Sequence, residues 1–202
     1  MRNGRGKYIA NLPGDDYWTG PLKLQKQVDI LDKHSNIIVC HHWHSCKNEN
    51  SIIDVGTPKD GYLPQKVASV KEIFANKLRL KSRTIMFRNI IYDNFFPEWF
   101  YKVAFGDVPL SFLLGQHGDF YFIDEPMSVY RITVKDVSTA VKSGNNIHEW
   151  RIKHFQNWIE IWNYANKHYN YKYNKEAYKT IQYFSDIIVK NIIVIEDIKY
   201  ER

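Results

Sequence analysis

The stretch Lys7-Tyr8-Ile9-Ala10-Asn11-Leu12-Pro13-Gly14-Asp15-Asp16-Tyr17-Trp18, followed by Pro21-Leu22-Lys23-Leu24-Gln25-Lys26-Gln27-Val28, decides the fold. Tyr8 to Leu12 is a short apolar strand candidate, and Pro13-Gly14 stops it with loop chemistry. Pro21 suits a helix start. Beyond it Leu22, Leu24, Gln25, Val28, Leu31 and Asp32 recur near the helical period and end around His34. Strand, acidic turn and helix in that order set two carboxylates at a strand's carboxyl end, where open α/β sheets hold ligands. Adjacent carboxylates repel each other. They are tolerated in water, as an ordinary solvated turn, or around a hard cation such as Mg²⁺ or Mn²⁺.

Working outward, Asn36 to His44 is rich in β-branched residues and reads as a second strand. Lys47 to Pro64 is polar and holds Gly56, Pro58, Gly61 and Pro64, which predicts a loop. Val67 to Leu80 has the pattern of an amphipathic helix, and Thr84 to Asn89 that of a third strand. Pro97-Glu98-Trp99 opens irregular structure, and Asp107 to Gln116 is a helix that ends at Gly118. Phe120 to Tyr130 is apolar and β-rich, with Pro126 implying an interruption or a sheet edge. This alternation of strands and helices predicts an α/β class fold over residues 1–140. From about His148 the texture changes. Trp150, Phe155, Trp158, Ile159, Trp162 and Ala165 recur at helical spacing, as do Tyr178, Ile181, Phe184, Ile188 and Ile192. They predict a helical appendix over 148–202, two helices joined by 168–174, with the aromatic stripe Trp150 to Trp162 read as its core rather than as a sugar-stacking platform or a face resting on a membrane surface.

Composition narrows the function classes. A chain of 202 residues with ordinary hydrophobic and charged fractions is one globular domain or slightly more, not a disordered or disulfide-rich chain. Cys40 and Cys46 make no disulfide framework, so a reducing, cytoplasmic setting is the expectation. No secretory signal or membrane span is visible, since Ile187 to Ile195 is short and broken by Lys190 and Asn191. The net charge of +6 is mild, and its Lys and Arg are dispersed without a recognition motif, which argues against nucleic acid.

Three further constellations could carry chemistry. Phe105-Gly106-Asp107 precedes an apolar helix, so Asp107 reads as a helix N-cap, as a general base, or as both. Cys40, His42, His44 and Cys46 would share one face of a strand. Same-face neighbours on a strand lie about 7 Å apart, so one tetrahedral ion with bonds of about 2.0–2.3 Å could take two of the four at most. The stretch reads instead as a strand that feeds polar groups into a cleft. Tyr130-Arg131 ends the last strand, and its guanidinium could hold a phosphate or a carboxylate, or pair with a nearby acid at the surface.

Taken in order, Gly6-Lys7-Tyr8-Ile9-Ala10, Gly14-Asp15-Asp16-Tyr17-Trp18, Pro21 to Val28, Thr84-Ile85-Met86-Phe87-Arg88-Asn89, Pro97-Glu98-Trp99, Gly106-Asp107, Gly118 and Val129-Tyr130-Arg131 resemble family 2 glycosyltransferases of the bacterial cell-surface type. The resemblance covers about residues 4 to 138. It implies a partial GT-A fold, a mixed sheet flanked by helices. It also implies transfer of a sugar from a nucleotide-sugar donor to an acceptor hydroxyl, usually with inversion, in cell-surface glycan synthesis. Asp107 would match the catalytic base, and Asp16 the ligand of a Mg²⁺ or Mn²⁺ ion. Asp15, Asp16, Trp18, Arg88 and Arg131 would lie on the donor side, and Trp99 on the acceptor side. A glycan or lipid-linked acceptor would bring the protein to the inner face of the cytoplasmic membrane. Three departures stand out: Pro13 where relatives commonly have glutamate, Thr133 where many have histidine, and the absence of the amino-terminal nucleotide-binding strands. The last of these gives a second expectation, a non-catalytic or split subunit that binds a partner.

Overall fold

A computed structural model describes residues 4–47, 52–55, 65–132 and 147–200. The chain divides into two compact units, residues 1–101 with 105–132, and residues 102–104 with 133–202. The first is α/β with a mixed sheet, as the sequence predicts at class level.

Seven strands form that sheet among the described residues. They are β1 (Tyr8–Ala10), β2 (Tyr17–Trp18), β3 (Ile37–Lys47), β4 (Ile52–Val55), β5 (Val67–Ala68), β6 (Met86–Arg88) and β7 (Asp119–Arg131). The long parallel pair β3–β7 is the spine, with Cys40 beside Tyr121 and Lys47 beside Arg131. β6 lies antiparallel on β3 and carries β1 outside it, with Tyr8 opposite Arg88. β4 pairs with the far end of β3 and falls inside the stretch expected to be loop. On the other side of β7, β5 pairs at Phe120–Tyr121 and β2 at Ser128–Val129.

That arrangement explains Pro126, which lies within β7 where, among the described residues, one side of the strand is an open edge. Proline has no N–H for a ladder. Pro126 sits between the stretches paired by β5 and β2, and at a register shift against β3. Neither neighbour needs its missing donor there.

Helices cover both faces. Helix α1 (Lys23–Lys33) packs its Leu31 against Ile37, Cys40 and Met86, with Tyr121 and Ile123 beside them. Phe120, one residue before Tyr121 on β7, points the other way. It meets Gly115, just past α3 (Asp107–Leu114), where an added Cβ would lie 3.0 Å from the Phe120 ring and 2.7 Å from Val70. Val70 opens α2 (Val70–Phe74), and the Phe74 and Phe112 rings lie 4.7 Å apart. The long helix expected over Val67 to Leu80 is thus replaced by β5 and one short helix. Ser69 and Glu72 close a capping box at its start. Asn76, at φ 55°, turns the chain out of helix at its end.

The second unit contains α4 (Ile147–His168) and α5 (Asn174–Tyr200), the two helices expected. Trp158, Trp162, Ala165, Ala177 and Phe184 are buried between them, and the Trp162 and Phe184 rings meet edge-on at 5.4 Å. Tyr178, which opens the second run at helical spacing, is exposed. Asn170 and Tyr171, at φ 50° and 61°, make the turn. No described helix is long and apolar enough to cross a membrane.

Candidate functional site

The acidic turn is built by its backbone first. Asp16 N–H donates to Pro13 O at 3.2 Å, closing a turn over Pro13–Asp16, and β2 then pairs with β7. Asp15 is left exposed at the tip, and Asp16 is carried inward against Arg131 at the end of β7.

Asp16 is held from two sides. Its Oδ2 accepts from Arg83 Nε at 2.6 Å, and its Oδ1 accepts from the Arg131 backbone N–H at 3.2 Å. The Arg131 guanidinium donates through Nε to the Asp15 carbonyl and lies over the Tyr17 ring. Arg83 comes from the 3₁₀ turn Ser82–Thr84, with its Cζ 4.2 Å from the Tyr130 ring centroid. Trp18 Nε1 donates to the Arg83 carbonyl at 3.1 Å, so β2 anchors the turn that presents Arg83.

Behind Trp18 lies a buried amine. Lys23 Nζ sits 4.2 Å from the Trp18 ring centroid and donates to Gln27 Oε1 at 2.7 Å. Gln27 in turn donates to the carbonyls of Cys40 and Thr84, tying α1 to β3 and to the Arg83 turn. The sequence stripe placed Leu22 and Leu24 on the buried face, yet both are exposed, and Lys23, Gln27 and Leu31 face inward. Burial pushes the Lys23 amine down to about 8.

The Cys/His strand is equally enclosed. Burial pushes the Cys40 thiol up to about 12, the His41 imidazole down to about 3 and the His42 imidazole down to about 4. His42 Nδ1 faces the Trp43 carbonyl, so that nitrogen carries the proton and Nε2 is bare. The Nε2 atoms of both rings are buried without a hydrogen-bond partner among the described residues. Among the described residues no three His, Cys, Asp or Glu side chains converge to hold a metal. A cavity of about 160 Å³ opens beside His41, His42 and Thr84, with Lys77 and Lys81 at its wall. A larger cleft of about 650 Å³ lies along α1 and mid-β7, between Lys26, Asp29, Tyr121 and Asp124.

Of the residues singled out from sequence, Asp15, Asp16, Trp18 and Arg131 come together. Arg88 does not join them. It donates to the carbonyls of Leu31, His34 and Ile37, binding the carboxyl end of α1 to the first residue of β3. Asp16 is tied to the last residue of β7, the opposite end of the β3–β7 spine, so the donor-side placement expected of Arg88 is replaced by a structural one. Trp99 is half-buried on the 3₁₀ turn Glu98–Tyr101. Asp107 is the first residue of α3, and the N-cap is Gly106. The Asp107 Oδ1 accepts from Val108 N–H at 2.9 Å, and its second oxygen has no protein partner among the described residues. Thr133 lies outside the described residues.

The expected role of Asp16 as a ligand of Mg²⁺ or Mn²⁺ does not fit this geometry. Its side chain is 1% exposed, and both oxygens already face the positive or donor groups of Arg83 and Arg131. A cation arriving there would have to displace a guanidinium from a buried carboxylate. Sequence reasoning missed Arg83, Lys23 and Gln27. Lys23 and Gln27 did carry a signal, because their i, i+4 spacing puts both on one helix face.

No protein-family model matches the chain. It is 33% identical over 132 residues to uncharacterized proteins of Mycobacterium tuberculosis (strain H37Rv) and Mycobacterium bovis. The match covers 63% of this chain and 35% of each relative's length.

Proposed function

We propose that the chain carries sugar-transfer chemistry of the family 2 glycosyltransferase type, on a partial GT-A sheet. It would move a sugar from a nucleotide-sugar donor to a hydroxyl of a glycan or lipid-linked acceptor. The observation that carries the reading is the gathering of Asp15, Asp16, Trp18 and Arg131 at the carboxyl end of β7. The two halves of that cluster stand more than a hundred positions apart in sequence, and an Arg131–Asp15 hydrogen bond joins them.

In such a reaction the acceptor hydroxyl must lose its proton as it attacks the anomeric carbon, and the nucleoside diphosphate leaves with growing negative charge. Asp107 is the residue assigned to the proton. Its Oδ1 is fixed by the Val108 N–H, and its Oδ2 keeps lone pairs free for an incoming hydroxyl. It stands in the first turn of α3, beside the backbone N–H groups of that helix end. Trp18, held by Arg83 O and Lys23, would wall the donor side.

The test is turnover of a panel of nucleotide sugars, as hydrolysis or transfer, by the wild type and Asp107→Asn. Loss of a general base should lower kcat by about 10²–10⁴-fold with KM little changed. Equal turnover in the two proteins removes Asp107 from this role.

A further inference from the structure

Between α2 and the 3₁₀ turn Ser82–Thr84 the chain reads Lys77-Leu78-Arg79-Leu80-Lys81, cation alternating with leucine. Burial keeps that alternation: Leu78 and Leu80 are buried, whereas Lys77 and Arg79 are exposed. A two-residue period sends alternate side chains to one side of an extended chain, about 7 Å apart. Lys77, Arg79 and Lys81 all line the cavity of about 160 Å³ beside β3. Arg79 Nε donates to Asn76 Oδ1 at 2.8 Å, which anchors its stem, and Lys77 Nζ has no acceptor among the described residues. The other wall is aromatic. His41 and Trp43 are two apart on β3, and both meet the Phe122 ring of β7, with centroids 5.2 and 4.9 Å away. Trp43 is half-buried, and its Nε1 is tied to Asp124 Oδ1 at 2.6 Å. The buried His41 ring stays neutral, so the charge of the site comes from the three cations. Among the described residues no Asp or Glu lines this cavity. Thr84 also lines it, and Lys81 and Thr84 flank the turn whose Arg83 holds Asp16. The cavity therefore backs onto the acidic turn.

We propose that this cavity binds an acidic sugar, a six-membered ring that carries a carboxylate or a phosphate. The ring lies against Trp43 and Phe122, and the oxyanion faces Lys77 and Arg79. The size fits, since a cavity of about 150 Å³ takes one benzene ring. The chemistry fits as well: an aromatic wall supplies contact area, and a few convergent charged groups fix orientation. Three cations with no acid among them leave a neutral sugar without a counter-charge to offer, whereas an oxyanion is met by charge-assisted hydrogen bonds. The role of this ring rests on the sugar-transfer reading, in which it is the end of the acceptor, so that the acceptor is acidic. Its binding does not depend on turnover.

The test is proton–nitrogen NMR on the full chain, following the indole N–H signals of its six tryptophans. The Trp43 signal is the one lost in Trp43→Phe. The probes are glucuronate, glucose 6-phosphate, glucose and inorganic phosphate. Glucuronate or glucose 6-phosphate should move the Trp43 signal to saturation. Glucose, which lacks the charge, and inorganic phosphate, which lacks the ring, should each bind at least about tenfold more weakly. Lys77 is exposed, so its variants should melt with the wild type. Lys77→Glu should weaken the acidic sugars about tenfold or more, and Lys77→Arg, which keeps the charge, should restore them. A preference for glucuronate identifies a carboxylate sugar and the opposite preference a sugar phosphate, while equal binding identifies the oxyanion itself. The proposal is overturned if neither acidic sugar moves Trp43 to saturation, or if glucose binds as tightly as they do. Inorganic phosphate binding as tightly as glucose 6-phosphate overturns it too, because the cations then hold a counter-ion and no ring. Unchanged affinity in Lys77→Glu overturns it equally. Lys77-dependent binding of an acidic sugar without any nucleotide-sugar turnover leaves the cavity assigned and removes the sugar-transfer reading. Turnover by a chain in which no acidic sugar moves Trp43 does the reverse.

Discussion

Two buried imidazoles on β3 should make the first unit acid-sensitive well above the range where carboxylates titrate. His41 and His42 are 5% and 3% exposed, and burial holds them down to about 3 and about 4. At His42 the Trp43 carbonyl works against burial and favours the proton, while Lys23 and His44 disfavour it, and at His41 the neighbouring His42 adds to the effect of burial. In the unfolded chain both return to about 6.5. The fold therefore binds fewer protons than the unfolded chain below that value. Stability is complete above about pH 6.5 and falls as pH drops toward the folded values. At pH 5 each ring costs about 2 kcal/mol relative to neutral pH, and the pair about 4 kcal/mol. Native domains hold only about 5–15 kcal/mol in total. With a urea slope of about 2 kcal/mol per M, the midpoint should fall by about 2 M between pH 7 and pH 5.

The assay must report on the first unit alone. Cys40 is a buried free thiol on the same strand, so brief labelling with a methanethiosulfonate in a Cys46→Ser background counts the molecules whose β3 has opened. His41→Phe, next to the Phe122 ring at 5.2 Å, and His42→Gln should each remove roughly half of the pH dependence. A midpoint that moves by less than about 0.5 M between pH 7 and pH 5 would mean that these rings are charged or hydrated in the fold, and the burial argument would fail.

Two further outcomes are expected. Arg88→Met should lose about 2–4 kcal/mol of stability, because three carbonyls at the end of α1 and the start of β3 lose a charged donor. Its nucleotide-sugar turnover at a temperature where the variant stays folded should match wild type, and a tenfold rise in KM would return Arg88 to the donor side. Lys23 is held down to about 8 by burial, so its folded pKa lies below the unfolded one. Stability should therefore rise between about pH 8 and 10.5 by up to about 3 kcal/mol, and Lys23→Met should abolish that rise in urea titrations. A slope that survives in Lys23→Met assigns it to another group.

Periodicity located α1, α4 and α5, whereas β3 was legible from its β-branched residues and α3 from an apolar run that stops before Gly118. It failed where local pattern and tertiary demand diverge. The apolar residues of α1 suggested Leu22 and Leu24 as its buried side, but the sheet takes Lys23 and Gln27 instead, because Gln27 satisfies the Cys40 and Thr84 carbonyls and Lys23 finds the Trp18 ring. No hydropathy scale reads a buried amine as inward. Pro126 suggested an interruption or an edge, and of the two the gap between β5 and β2 supplies the edge. The run from Val67 to Leu80 has helical spacing throughout, yet Val67–Ala68 is claimed by β7 and the chain leaves the helix before Asn76.

The acidic turn marks the deepest limit of local reading. From sequence, Asp15 and Asp16 are equivalent neighbours whose repulsion a divalent cation would relieve. In the fold they part: one stays in water and the other goes inside, and a carboxylate taken out of water needs a counter-charge at hydrogen-bond range. What that counter-charge is decides the chemistry of the site. Here it is Arg83, 67 residues downstream, on a turn whose carbonyl is in turn pinned by Trp18. A motif of adjacent acids thus specifies that positive charge will gather at the end of β7 without specifying its carrier. The carrier is set by the 3₁₀ turn Ser82–Thr84, held in place by Gln27 from α1 and Trp18 from β2. If a metal held Asp16, substituting Arg83 would leave the carboxylate's partner intact; with Arg83 in that place, Arg83→Gln strands a buried charge and should destabilise the unit by about 3–5 kcal/mol, while the neutral double variant recovers most of the loss.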